Sequence, residues 1–286
     1  MKPSLRRSFG WLIVVVTLAA SCAGEPTANE PRDTGGSASN PYATPARAGI
    51  LRFPSDDGTE LLGRLLGKGA VGVVLAHGFS QQAGQDTWGD FPELLAAEGY
   101  RVLTFNFRGF CSDDGCSVGS LEPGKYWLDV VGAIELLRER GVNEVLLIGG
   151  SMGGIAVLRA AGSPGVDVAG VVSLSTPQFA ARYYTGEDPG NDLTPDRIRA
   201  IDEPMLFIAG KQDVQRTGEA PLREGVDQVL FAEDARRMFE AASQPKDLLL
   251  VDSSSHSSDL VAYEEDQVGE RVREAIYAFL QEHSGD

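Results

Sequence analysis

The sequence predicts an α/β fold, a mostly parallel, doubly wound sheet of about eight strands with helices on both faces and a short cap. Three observations point to it. Short runs rich in Val, Ile and Leu alternate with amphipathic stretches over most of the chain. Most of those runs are apolar at nearly every position, as strands covered on both faces must be. The residues able to fold number about 240, which suits one domain of this class.

In chain order, Ile50 to Pro54 and Glu60 to Leu66 form an opening hairpin, because Asp56-Asp57-Gly58 between them is a turn sequence that tolerates positive φ. Buried-type strands follow at Val71 to Ala76, Arg101 to Phe107, Val145 to Ile148, Ala169 to Leu174, Met205 to Ala209 and Leu248 to Val251. Amphipathic helices lie between or after them, near Asp86 to Glu98, Lys125 to Arg140, Ser151 to Ala161, Gln228 to Ala242 and Ala262 to Glu282. The segment Thr176 to Glu203 is short and holds Arg182-Tyr183-Tyr184-Thr185-Gly186 and a helix-like Thr194 to Ala200, enough for a small cap. Val214 to Gly225 is a second irregular stretch, placed to rim a pocket. No internal repeat is visible.

The first residues follow other rules. Lys2, Arg6 and Arg7 ahead of the apolar run Trp11 to Ala20 make residues 1–21 an export signal, too short for the ~20 residues of a membrane span. Ala19-Ala20-Ser21 immediately before Cys22 resembles a bacterial lipobox, in which the cysteine becomes lipidated, with Ala19 where leucine is favoured. Cleavage after a small residue, giving a secreted protein, is the alternative. Residues 22–46 are dominated by small and polar types that bury too little surface to fold, so the lipidated cysteine is expected to lead a flexible tether. Residues 47–286 then form the folded domain, held at the bacterial cell envelope through lipidated Cys22.

Charge narrows the partners. With 25 Lys and Arg against 41 Asp and Glu the net charge is −16, scattered over loops and helix faces. Such a surface keeps a domain soluble and opposes nucleic acid, which is bound by setting Lys and Arg against phosphates. It also opposes anionic headgroups, so membrane contact rests on the lipid anchor alone; oligomeric state is left open.

Beyond Cys22, Cys111 and Cys116 enclose Ser-Asp-Asp-Gly, and in an exported protein this spacing predicts a disulfide, with two free thiols as the alternative. The histidines are His77, His256 and His283, none near this pair in sequence, so no metal site is expected and no cofactor is implied.

The chemistry centres on Gly149-Gly150-Ser151-Met152-Gly153, directly behind Val145 to Ile148. A strand running into Gly-x-Ser-x-Gly and on into a helix is the signature of a nucleophile elbow, where the serine occupies a strained turn and glycines two residues to either side keep neighbouring backbone clear. Composition alone yields about 0.3 such pentapeptides, so the strand before it and the helix after it carry the weight.

These residues resemble the α/β-hydrolase superfamily over roughly residues 50–282. His77-Gly78-Phe79 follows the third strand, where members carry a His-Gly loop that supplies an oxyanion donor. Asn106-Phe107-Arg108-Gly109 follows the fourth, with asparagine where Asp-x-Arg-Gly is usual. Asp213 and His256 follow the strands at Met205 to Ala209 and Leu248 to Val251, the places of the triad acid and base, and the order Ser151, Asp213, His256 is that of this fold. The resemblance implies Ser151 as nucleophile, His256 as base, Asp213 as the acid that fixes its tautomer, and the backbone N–H groups of Phe79 and Met152 as oxyanion donors. Asp252 and Asp259 flank His256 and are the competing acids; His77 is expected to be structural.

The expected activity is hydrolysis of a carboxylic ester on a small acyl substrate by a serine hydrolase, through an acyl-enzyme. A serine peptidase or acyltransferase with the same triad is the nearer alternative, and a non-catalytic envelope binding protein the more distant one. Epoxide hydrolase and dehalogenase chemistry, for which the superfamily uses aspartate, does not suit a serine.

Overall fold

Strand residues point alternately to the two faces of a sheet, and here both sets are apolar. A computed structural model describes residues 48–80, 83–219, 221–262 and 267–285, which fall in the compact unit Pro45–Asp286. The expected export signal, Cys22 and tether through residue 46 lie outside the described residues.

The strands of the central sheet are β1 (Ile50–Pro54), β2 (Glu60–Leu66), β3 (Val71–Ala76), β4 (Arg101–Phe105), β5 (Glu144–Gly150), β6 (Gly170–Leu174), β7 (Met205–Gly210) and β8 (Lys246–Val251). They form an 8-stranded sheet in the order β1-β2-β4-β3-β5-β6-β7-β8. The pairs β1/β2 and β2/β4 are antiparallel, and every pair from β4 to β8 is parallel. Val74, Val145, Leu147, Val171, Phe207 and Ala209 enter one core; Val73, Leu75, Leu146, Ile148, Val172 and Ile208 enter the other. Each such side chain contributes about 1.5–3 kcal/mol by leaving water, so a slip of one residue would gain nothing and would break the covering helices' fit.

The helices are α1 (Phe91–Ala97), α2 (Tyr126–Glu139), α3 (Met152–Ala161), α4 (Ala180–Tyr183), α5 (Pro195–Arg199), α6 (Phe231–Ala241), α7 (Asp259–Ala262) and α8 (Gln267–His283). Val130 and Ile134 of α2, Val157 of α3 and Met238 of α6 cover one face. Phe91 and Leu95 of α1 and Ile276 and Leu280 of α8 cover the other. The fold expected from sequence is therefore the fold observed.

Three helix boundaries differ from the expected ones, the first because a strand pairing overrides local pattern and the second because a positive-φ glycine divides the segment. Gln228–Leu230, read as the start of a helix, pairs antiparallel with Val214–Arg216, and α6 begins only at Phe231. The helix expected over Asp86 to Glu98 divides into a 3₁₀ turn at Gly84–Trp88 and α1, separated by Gly89 at φ 57°. The last helix starts at Gln267, with the short α7 before it.

Behind β4, Arg108 is buried in an ion-pair cluster: Nη2 is 2.6 Å from Asp129 Oδ1, Nε 3.0 Å from the same oxygen, and Nη1 2.7 Å from Asp57 Oδ2. It ties the loop after β4 to α2 and to the β1–β2 turn. Removing one partner of such a buried pair strands a charge at about 3–5 kcal/mol.

Candidate active site

The sheet's order brings the ends of β5, β7 and β8 to one edge, and the sequence-predicted residues stand there. Ser151 follows β5 at φ 51°, ψ −114° and caps α3. A side chain there is strained by about 1–3 kcal/mol, a cost that persists only where the surroundings enforce it. They do: the Ser151 N–H donates to the Leu174 carbonyl at 2.8 Å, pinning the turn to β6. A Cβ on Gly149 would lie 2.6 Å from the Gly153 carbonyl carbon, and one on Gly153 the same distance from the His77 oxygen. The two glycines of the motif are thus required sterically, as the pentapeptide implies.

Asp213 lies in the turn after β7 and is buried; His256 lies beyond β8 and is about one-third exposed. His256 Nδ1 is 2.9 Å from Asp213 Oδ2 and 3.2 Å from Oδ1. With Nδ1–H donated to the carboxylate, the bare Nε2 is the atom left to take a proton. The Phe231 ring packs against the imidazole at 4.4 Å between centroids. Of the competing acids, Asp252 is exposed and paired with Lys211 Nζ at 2.8 Å, and Asp259 sets its backbone N–H on the His256 carbonyl at 3.1 Å. Ser151 and His256 both face one cavity of about 680 Å³, and no hydrogen bond links their side chains in this conformation. Such bonds commonly tighten only when substrate is bound.

The expected oxyanion donors border the same cavity. Met152 opens α3, so its N–H belongs to the first turn, which has no partner within the helix and lies at the positive end of its dipole. Phe79 is oriented less directly. His77 accepts the Phe107 N–H at Nε2, 3.2 Å, which leaves its proton on Nδ1 to be donated to the Gly78 carbonyl at 2.5 Å. Because a trans peptide holds its C=O and N–H on opposite sides, fixing the Gly78 oxygen inward turns the Phe79 N–H outward. His77 is fully buried, and desolvation lowers its pKa to about 4. It is a neutral positioning group, in keeping with the structural role expected for it.

Asn106, the departure from Asp-x-Arg-Gly, has a visible reason. Its Nδ2 donates to Ser112 Oγ and to the Gly115 carbonyl, each at 3.0 Å, while its Oδ1 accepts the Gln85 N–H at 2.8 Å. An aspartate can only accept. The loop so held is closed by a Cys111–Cys116 disulfide, the pairing expected from spacing.

The cap after β6 comprises α4, a 3₁₀ turn at Pro189–Asn191 and α5. Asp234 of α6 anchors it by accepting the Gln178 N–H at 2.9 Å and the Tyr183 hydroxyl at 3.0 Å. Glu187 of the cap, Gln215 of the two-stranded ribbon formed by Val214–Arg216 and Gln228–Leu230, Glu219 of the loop between its strands, and Tyr126 of α2 complete the cavity wall. Sequence reasoning missed Tyr126 and also Ser257, which follows His256 at φ 58° and inserts its side chain beside Gly78 and Gly150. Tyr126 reads as one more apolar-face residue of a helix, and nothing local marks it.

Comparison with known proteins agrees with the fold. The family model described as the alpha/beta hydrolase family matches residues 73–282. A dipeptidyl aminopeptidase BIII of Pseudoxanthomonas mexicana is 34% identical over 172 residues, 49% of this chain and 25% of that protein. An acylamino-acid-releasing enzyme of Rattus norvegicus is 24% identical over 227 residues, 68% of this chain and 29% of that one. The chain thus spans under a third of the length of these relatives. Among solved structures, an esterase of Pyrococcus furiosus superposes with a TM-score of 0.62 at 20% identity, covering 90% of this chain and 100% of its own.

Proposed function

We propose that this chain, which belongs to the alpha/beta hydrolase family, is a serine hydrolase that cleaves carboxylic esters through an acyl-enzyme on Ser151. The observation that carries the reading is a strained serine lining the same cavity as a histidine whose Nδ1 is held by buried Asp213 at 2.9 Å. A serine hydroxyl is a weak nucleophile until a neutral imidazole removes its proton during attack.

On this reading the Ser151 Oγ forms a bond to the substrate carbonyl carbon while its proton passes to His256 Nε2. The carbonyl oxygen becomes an anion facing the Met152 and Phe79 N–H groups; each such donor is worth about a hundredfold to a thousandfold in rate. Collapse breaks the bond to the leaving group, which takes the proton back from His256 and departs as an alcohol. Water then adds to the acyl-enzyme with His256 again as base, releasing the acid and Ser151. Asp213 keeps the imidazole in the productive tautomer and stabilises its charged form throughout.

The proposal includes placement. Residues 1–21 would direct export and Cys22 would carry the lipid, with residues 22–46 as the tether between the membrane and a folded domain at 47–286. The charged start, the apolar run and the small residues before Cys22 support it.

Fluorophosphonate labelling with mass-spectrometric mapping tests the chemistry. Labelling at Ser151, absent from Ser151→Ala and His256→Ala, is expected; a folded protein that takes no label at Ser151 overturns the reading. Peptide cleavage is the second reading, favoured by the names of the two curated relatives. Matched ester and peptide panels separate them by kcat/KM.

A further inference from the structure

The cavity wall has an uneven charge. Glu187, Glu219 and Asp259 contribute carboxylates, and among the described residues no Lys or Arg lines it. Glu187 is the most enclosed of these, on the cap opposite α2. Its Oε2 accepts from Asn191 Nδ2 at 2.7 Å. Asn191 in turn accepts from Arg159 Nη1 at 2.5 Å, so the neighbouring cation is turned to the far side of the asparagine and not to the carboxylate. Burial raises the Glu187 pKa, and Asp188 and Asp192 add to the rise. A carboxyl so placed lacks the cation that would settle it as a carboxylate.

A second feature at the same wall also lacks a partner. Tyr126 is only 3% exposed, its ring is fixed against Phe107 and Phe110, it borders the cavity, and its hydroxyl makes no hydrogen bond. Buried hydroxyls are nearly always satisfied, so an orphan in a cavity wall marks a place where a ligand group belongs. Glu187 and Tyr126 both line this cavity. An anion in this cavity would meet a wall that carries three acidic side chains, whereas an ammonium would donate to the Glu187 carboxylate. The chain's −16 charge draws cations toward the surface as a whole.

We propose that the cavity selects substrates carrying a cationic group, an ammonium, on the portion that packs against the Glu187 wall. Cleavage of the bound compound rests on the hydrolase reading; the selectivity itself does not. Both are tested by giving the full-length protein two sets of compounds at low ionic strength. In calorimetry, phenylpropylammonium, phenylpropanol and phenylpropanoate differ chiefly in charge. The ammonium is expected to bind about tenfold or more tighter than the alcohol, with the carboxylate weakest, and Glu187→Gln is expected to remove that preference. Tyr126→Phe should reduce it with the native melting profile retained. In hydrolysis, the p-nitrophenyl ester of aminohexanoic acid should exceed that of heptanoic acid in kcat/KM, with the adipic monoester last, and the cationic-to-neutral ratio should fall in Glu187→Gln.

Equal binding of ammonium and alcohol, or a preference that survives Glu187→Gln, overturns the proposal even if every ester is cleaved. If no ester is cleaved and no fluorophosphonate is taken up, it is the hydrolase reading that fails, and the calorimetric comparison still decides this one.

Discussion

His256 Nδ1 meets both oxygens of Asp213, at 2.9 and 3.2 Å, although Asp252 and Asp259 are far nearer to it in the chain. Nearness in sequence puts those two in the same loop; the parallel pairing of β7 with β8 puts Asp213 under the ring. Asp213→Asn should present an amide that donates to Nδ1, leaving the proton on Nε2 where it cannot act as base. Steady-state kinetics should show kcat reduced by about 10⁴-fold. Asp252→Asn, which loses only an exposed, solvent-screened pair with Lys211, should leave kcat and the denaturation midpoint unchanged.

The depressed pKa of His77 makes stability depend on acidity in a defined window. Its native value is about 4 against an ordinary 6.5. Between these values the unfolded chain binds a proton that the native state refuses, so stability is full above the upper value and is lost as pH falls through the window. The loss comes to about 3 kcal/mol. Denaturant unfolding of the wild type and of His77→Gln should show the gap between them narrowing by about that amount from pH 7 to pH 4. A constant gap would mean that His77 is not held neutral.

Asn106→Asp restores the residue usual in this family and should nonetheless destabilise this protein. A buried carboxylate would face the Gly115 carbonyl, which accepted from Nδ2 at 3.0 Å. That donation is lost and a desolvated carboxylate is set against a carbonyl oxygen, while the Ser112 hydroxyl can turn to donate; the cost of about 2–4 kcal/mol is read as a lower denaturation midpoint at pH 7, with part of the loss recovered as the carboxyl protonates in acid.

Opening the Cys111–Cys116 bridge, five residues apart in sequence, should cost about 2 kcal/mol through the freed loop. Thermal unfolding of the double Cys→Ala variant measures it. Titration of two reactive thiols in the oxidised protein would instead show the bridge unformed.

Gly150 and Ser257 offer a coupled pair. A Cβ at Gly150 would overlap the Ser257 Oγ, so Gly150→Ala should displace the elbow and lower both stability and kcat. Adding Ser257→Gly removes the obstruction and suits φ 58°. A double-mutant cycle should give a favourable interaction of about 0.5–3 kcal/mol.

Much of the site is legible in sequence because it sits at strand ends. The run Val145 to Ile148 identifies β5, and the glycines around Ser151 report steric demands that one pentapeptide can express. Asp213 and His256 are legible only through family order, since nothing local distinguishes Asp213 from a turn aspartate. Tyr126, Ser257 and the ribbon at Gln228–Leu230 owe their roles to partners far away in the chain, and periodicity carries no trace of these. The cavity wall is the least legible part for that reason: it is assembled from the cap, the ribbon and the first turn of α2.

The cap between β6 and β7 and the ribbon after Asp213 are loop insertions that leave the pairing of the sheet intact. Selectivity and reactivity are therefore inherited separately in this molecule. Substitutions at the cavity-facing positions of the cap and of the loop within the ribbon can retune what enters while the sheet keeps Ser151, Asp213 and His256 at its strand ends, so a library confined to those positions, sparing the buried Leu193 and Ile198, would explore new substrates.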